Sequence, residues 1–344
     1  MDVAGFEKDM KMKRRWKILI GICGSLVALV GFGAVYIFTA NPPPAEIVNA
    51  GPTGEKVNKD GVFGNFFPAM ADKPRPAILV LGGSEGGLST DVSRQARALQ
   101  EVGYNALHLA YHNAPGKPGK LKNIPVEDFI NALDWLKAQD SVDADQIGII
   151  GYSKGAEAAL LIATRYSGIR AVVAGMPSSV FWDGMSPENF IVSNGSSSWS
   201  EGGEPIASLP YGLPEDDVGM LSVFNKGLAR VDEFPNAVIP IERYDGALLM
   251  VCGEIDNLWP SCQMAKDIEA RARNKNGPPV TLLRYPEAGH GVMGIAADEK
   301  DRSIRIFAQM GGTAKANISA RRDSWSKILL FFEQEFSKAN SSFD

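Results

Sequence analysis

The sequence predicts an α/β architecture, a mostly parallel central sheet with helices on both faces and a lid-like insertion. Three observations carry that prediction. Short apolar, β-branched runs alternate with stretches of helical spacing, and the loops between them are short. A Gly-x-Ser-x-Gly pentapeptide, Gly151 to Gly155, lies between one such run and a string of strong helix formers. An acidic residue and a histidine then follow that serine in order, each on a loop after a later strand-like run.

The totals narrow the function classes. The chain has 344 residues, 45% hydrophobic and 22% charged, which is ordinary globular composition. Its net charge of −5 gives no global basic field, so nucleic acid is not an expected partner. No internal repeat or low-complexity tract is visible. Cys23, Cys252 and Cys262 are too few for a disulfide framework. Cys252 and Cys262 could pair in an oxidising compartment, but buried free thiols are the default expectation. With three histidines and no Cys/His cluster at metal-ligand spacing, an enzyme without metal or cofactor is expected.

From the N-terminus, residues 1–17 carry Lys8, Lys11, Lys13, Arg14, Arg15 and Lys17. Residues 18–40 are uncharged and apolar, long enough for a transmembrane helix and longer than the usual core of a cleaved signal peptide. Basic residues before the span place the N-terminus in the cytoplasm and the body of the protein across the membrane. A secreted form, after signal cleavage, is the alternative. Residues 41–60, opening with Asn41-Pro42-Pro43-Pro44, read as a linker. Residues 61–344 read as the catalytic domain, with edge strands or a hairpin leading into the sheet.

Ala77-Ile78-Leu79-Val80-Leu81 is a buried strand running into Gly82-Gly83-Ser84-Glu85-Gly86-Gly87, with a helix from about Val92 to Val102. That loop lacks both the dinucleotide fingerprint and the Lys-Ser/Thr ending of a phosphate loop. It suits an oxyanion loop, where glycines let backbone N–H groups converge. The N–H groups of Ser84 and Lys154 are the candidate donors. A strand follows at Ala106–Tyr111, a helix at Val126–Gln139, the strand before the pentapeptide at Gln146–Ile150, and another strand at Arg170–Ala174. The alternation then stops. Residues 176–245 form a long irregular stretch that reads as a lid or binding wall, its aromatic and methionine residues suiting an apolar acyl group or packing on the domain surface. The sheet resumes at Gly246–Cys252 and Val280–Tyr285, and a last amphipathic helix runs from about Ser319 to Lys338.

A serine hydroxyl needs a base, usually a histidine oriented by a carboxylate. In the α/β-hydrolase fold the order is serine, acid, histidine, and the serine sits on a sharp strand-to-helix elbow. Ser153 fits the nucleophile, Asp256 in Gly253-Glu254-Ile255-Asp256-Asn257 the acid, and His290 in Gly289-His290-Gly291 the base. Glu254 is the reserve acid, and His108, inside an apolar run, reads as a core residue. Glu85, His112, Trp182, Trp199 and Trp259 are candidates for binding substrate. These features predict a serine hydrolase acting on a small-molecule ester or thioester with an apolar acyl part. A binding protein on the same fold is the non-enzymatic alternative.

From about Ala77 onward the chain resembles the C-terminal catalytic domain of the acyl-CoA thioester hydrolase and bile acid-CoA:amino acid N-acyltransferase family, near the dienelactone hydrolases. The matching pieces are Leu81 to Gly87, Gly151 to Glu157, Ile239-Pro240-Ile241-Glu242-Arg243, Gly253 to Ser261 and Gly311-Gly312-Thr313. The Asp-x-x-Trp-Pro-Ser run, Asp256 to Ser261, is the most specific of them. The resemblance implies the same three roles for Ser153, Asp256 and His290. The family's N-acyltransferases use cysteine, so a serine at 153 implies hydrolysis rather than transfer. The animal enzymes carry a β-sandwich domain ahead of the catalytic one, and too few residues precede Ala77 here for it.

Overall fold

The central strands form where the chain is apolar on both faces. The computed structural model describes residues 44–186, 189, 193, 195–212 and 219–340. Its main sheet has eight strands, β1 (Glu55–Lys59), β2 (Val62–Phe67), β3 (Arg75–Leu81), β4 (Asn105–Leu109), β6 (Val142–Tyr152), β7 (Ile169–Gly175), β10 (Ala247–Gly253) and β11 (Val280–Tyr285). Their spatial order is β1-β2-β4-β3-β6-β7-β10-β11. From β4 to β11 all neighbours are parallel, while β1 and β2 form an antiparallel edge. A second, small sheet joins β5 (Ile124–Pro125), β8 (Trp199–Glu201) and β9 (Glu204–Pro205). The edge strand β1 falls inside the stretch expected to be a linker, so the folded domain begins earlier than residue 61. The expected span at residues 18–40 lies outside the described residues. Among those described, no helix is long and apolar enough to cross a membrane.

Side chains of a strand alternate between faces, so one apolar run feeds two cores. Leu79, Leu81, Ile147 and Ile149 face one core. It is closed by α2 (Val126–Lys137), α3 (Lys154–Ala163) and α5 (Ser261–Asn274). Ile78, Val80, Ile150 and Val173 face the other, closed by α1 (Thr90–Glu101) and the long α7 (Ala314–Asn340). Each of these aliphatic side chains is fully buried, a contribution of roughly 1.5–3 kcal/mol apiece. Both faces of a parallel sheet are thus covered, as the alternation predicted.

Described residues of the stretch 176–245 build a third, smaller core. Trp182 stacks on Tyr211 at 5.7 Å and meets Phe224 edge-on at 4.9 Å, with Phe224 on α4 (Met220–Leu228). Cys252, at the end of β10, is disulfide-bonded to Cys262 in the first turn of α5. This corrects the expectation of free thiols. The bond was available because β10 and α5 are joined by one short loop, which brings the two Cα atoms to 5.1 Å.

Candidate active site

Ser153 stands at the junction of β6 and α3 with φ 54° and ψ −116°. A serine with positive φ is strained by about 1–3 kcal/mol, so its surroundings must hold it there. Its N–H donates to Gly175 O at 2.9 Å, and its carbonyl accepts from Ala156 N–H at 2.9 Å. The flanking glycines are required by close approach. A Cβ on Gly151 would lie 2.2 Å from Gly155 O, and one on Gly155 would lie 2.2 Å from Gly82 O. The pentapeptide therefore packs its turn directly onto the glycine loop after β3.

Asp256 and His290 come from the loops after β10 and β11, the next two strands along from β7. His290 Nδ1 lies 2.8 Å from Asp256 Oδ2, with both side chains almost wholly buried. With Nδ1 donating to the carboxylate, Nε2 is the ring nitrogen left to act on a substrate. Asp256 Oδ1 also accepts from the N–H groups of Leu258 and Trp259, at 2.9 and 3.3 Å. The reserve acid, Glu254, is instead paired with Arg284 and Lys266.

The two loops are locked together by residues the sequence did not single out. Met310 O accepts from Asn257 N–H at 3.0 Å and His290 N–H at 3.3 Å. Asn317 Oδ1 takes the Gly289 N–H at 2.9 Å, and Arg321 Nε donates to Gly291 O at 2.8 Å. Gly311, with φ +105°, fits between the loops because a Cβ there would lie 1.9 Å from Ile255 O. The Gly311-Gly312 pair was the available signal, and only the packing explains it.

Ser153 and His290 line one cavity of about 340 Å³. Ser84 and Glu85 form its rim, Asp91, Gln95 and Tyr152 its polar side, and Met176, Leu258 and Met293 part of its apolar side. Ile306 and Phe307, on the short helix α6 (Arg302–Ala308), and Met310 complete the apolar wall. Glu85 is exposed as a residue, yet its carboxyl turns in against Gly82 and Gly83 and accepts the Gly83 N–H at 3.1 Å. Desolvation there pushes its pKa up, partly opposed by backbone hydrogen bonds.

The other substrate-binding candidates lie elsewhere. Trp182 and Trp199 are fully buried, with indole N–H groups on Ser178 Oγ and Glu157 Oε1 at 2.9 and 2.7 Å. Indoles that have found partners inside the fold do not face a ligand. Trp259 packs edge-on to the His290 ring at 6.0 Å and is not among the residues lining the cavity. His112 is buried beneath the glycine loop with Nε2 3.4 Å from Ser84 O, and burial pulls its pKa down to about 4. Lys154 opens α3, where first-turn N–H groups have no partner within the helix. Its side chain points away to Glu157 Oε2, at 2.6 Å.

Mouse mitochondrial acyl-coenzyme A thioesterase 2 is 26% identical over 283 residues, covering 81% of this chain and 59% of the relative. Mouse acyl-coenzyme A thioesterase 5 is 27% identical over 291 residues, covering 82% of this chain and 65% of the relative. The chain thus spans about three fifths of the length of such relatives. Among solved structures, a dienelactone hydrolase-like promiscuous phosphotriesterase from metagenomic libraries superposes with a TM-score of 0.52 at 16% identity. That match covers 82% of this chain and 98% of the other. A Mycobacterium tuberculosis puromycin-hydrolyzing peptidase gives a TM-score of 0.55 at 15% identity, covering 83% and 39% respectively. Both likenesses show the α/β-hydrolase fold. Residues 124–338, well over half of the chain, match the family model of the BAAT / acyl-CoA thioester hydrolase C-terminal domain, and the protein belongs to that family.

Proposed function

We propose that this protein is a serine hydrolase that cleaves esters or thioesters with an apolar acyl group through an acyl-enzyme. The observation that carries the reading is the shared cavity, which brings the strained Ser153 together with a His290 already bonded to Asp256. Ser153 Oγ attacks the carbonyl carbon while His290 Nε2 takes its proton, and Asp256 stabilises the imidazolium. The N–H groups of Ser84 and Lys154 receive the oxyanion, each such donor being worth about 2.7–4 kcal/mol in the transition state. The leaving alcohol or thiol takes the proton back from His290. Water, deprotonated by the same nitrogen, then releases the acid.

The thioesterase relatives support a thioester substrate, and the apolar cavity wall supports an apolar acyl group. An oxyester left on serine is open to water, which favours hydrolysis over transfer to an amine. Incubation with a fluorophosphonate is expected to modify Ser153, and Ser153→Ala to abolish both labelling and turnover of acyl-CoA and p-nitrophenyl esters. A folded wild-type chain that resists labelling would make it a binding protein instead.

The N-terminal reading extends the proposal. A basic segment, an apolar span at 18–40 and a disulfide in the domain together support a membrane-anchored protein with its catalytic domain outside the cytoplasm.

A further inference from the structure

Ser261 ends the Asp-x-x-Trp-Pro-Ser run, and no step above uses it. Its side chain is fully buried at the start of α5. Its hydroxyl donates to Asp256 Oδ2 at 2.6 Å, the same oxygen that accepts from His290 Nδ1 at 2.8 Å. The hydroxyl must be the donor, because an ionised carboxylate has no proton to give. With Leu258 and Trp259 N–H on Oδ1, the carboxylate is held at both oxygens. The disulfide then ties Cys252, just before the acid loop, to Cys262, just after Ser261.

We propose that Ser261 is a positioning residue for the catalytic acid, its hydroxyl fixing the Asp256 carboxylate against rotation and sharing the oxygen that orients His290. The inference rests on the reading of Ser153, Asp256 and His290 as the reacting set. A second donor on Oδ2 draws charge from that oxygen and tempers its hold on the imidazolium. Removing it has two effects: the carboxylate gains freedom to turn, and the imidazolium becomes more stable.

The test is Ser261→Ala in the full chain, followed by ester turnover and by the rate of fluorophosphonate labelling across pH. The expected result is a loss of about ten-fold in kcat/KM, chiefly in kcat, the scale of one hydrogen bond to a charged group. The acid limb of the profile is expected to move up by about half a pH unit. Ser261→Thr, which keeps the hydroxyl, restores most of the rate. In an Asp256→Asn background, Ser261→Ala is expected to slow labelling by less than about two-fold, because the group it acts through is gone. An unchanged acid limb together with an equal loss in both backgrounds overturns the proposal, since a structural role alone would act that way. Should Ser261→Ala fail to fold, Ser261→Cys repeats the test with the side chain's size kept and only a weak thiol donor in place of the hydroxyl. A wild-type chain unlabelled at Ser153 overturns the reading of the site. A labelled wild type with an indifferent Ser261→Ala overturns only the role of Ser261.

Discussion

His108 lies within β4 with its Nδ1 2.8 Å from Ser93 Oγ, and burial pulls its pKa down to about 3. An unfolded histidine titrates near 6.5. Between those values the unfolded chain takes up a proton that the folded chain refuses, so acid favours unfolding. The contribution is complete above pH 6.5 and is lost as pH falls toward 3. At pH 4 the loss from this one residue is ~3 kcal/mol. Urea unfolding at pH 7 and pH 4 is expected to show a large drop in midpoint, and His108→Gln a smaller one. An equal drop in both would remove His108 from the explanation. At this scale the residues proposed to react, Ser153, Asp256 and His290, could be nominated because chemistry restricts them to a few types in a known order. Met310 and Arg321 could not, since their value lies in distances to residues far along the chain, while Ser261 stood inside the Asp-x-x-Trp-Pro-Ser run, whose sequence does not say that its hydroxyl meets Asp256.

The insertion, as an element, is held to α3 by a buried charge. Lys154 and Glu157, one turn apart on α3, have side chains 2% and 0% exposed. Burial lowers the Lys154 pKa and raises that of Glu157, and each effect is opposed by the partner's charge. Glu157 Oε1 also accepts from the Trp199 indole and, at 3.0 Å, from the Trp182 backbone N–H. Glu157→Ala would strand the ammonium and leave two buried donors unpaired. A loss of ~3–5 kcal/mol is expected, and Lys154→Met with Glu157→Leu should recover only part of it, since the stranded charge is gone but the two donors stay unpaired. A loss below ~1 kcal/mol for Glu157→Ala in urea unfolding would mean that packing alone docks the insertion. The parallel strands β3, β4, β6, β7, β10 and β11 and the flanking helices α1, α2, α3 and α7 could be read from hydrophobic pattern and helix propensity, within about five residues at their ends, whereas β1 and the small sheet could not. Helix α6 could not, because seven residues make too few turns for a pattern, and its Asp301 cap acts on Ser303 N–H at 2.8 Å only once the chain is folded. The tryptophans of the insertion suggested a binding wall because an aromatic residue in a core and one in a pocket look alike in sequence.

For the whole molecule, alternation was enough to give a parallel sheet, but not which segment closes the cavity. That depends on non-local packing of the stretch after β11 against α1. The proposed orientation makes a statement about the full chain in a cell. In bacterial spheroplasts, added protease is expected to reach the domain, and alkylating reagents are expected to find the pair at 252 and 262 only after a reductant is supplied. A domain protected until the cells are lysed, with both thiols free, would place it in the cytoplasm. The arrangement of α6 has a separate consequence for how such a scaffold diversifies. Ile306, Phe307 and Met310 line the cavity that Ser153 and His290 share. On the proposed function, selection or a small combinatorial library acting at Ile306 would retune preference for chain length, whereas Phe307, packed against Gly291 and Arg321, would carry any change into the loop that holds His290.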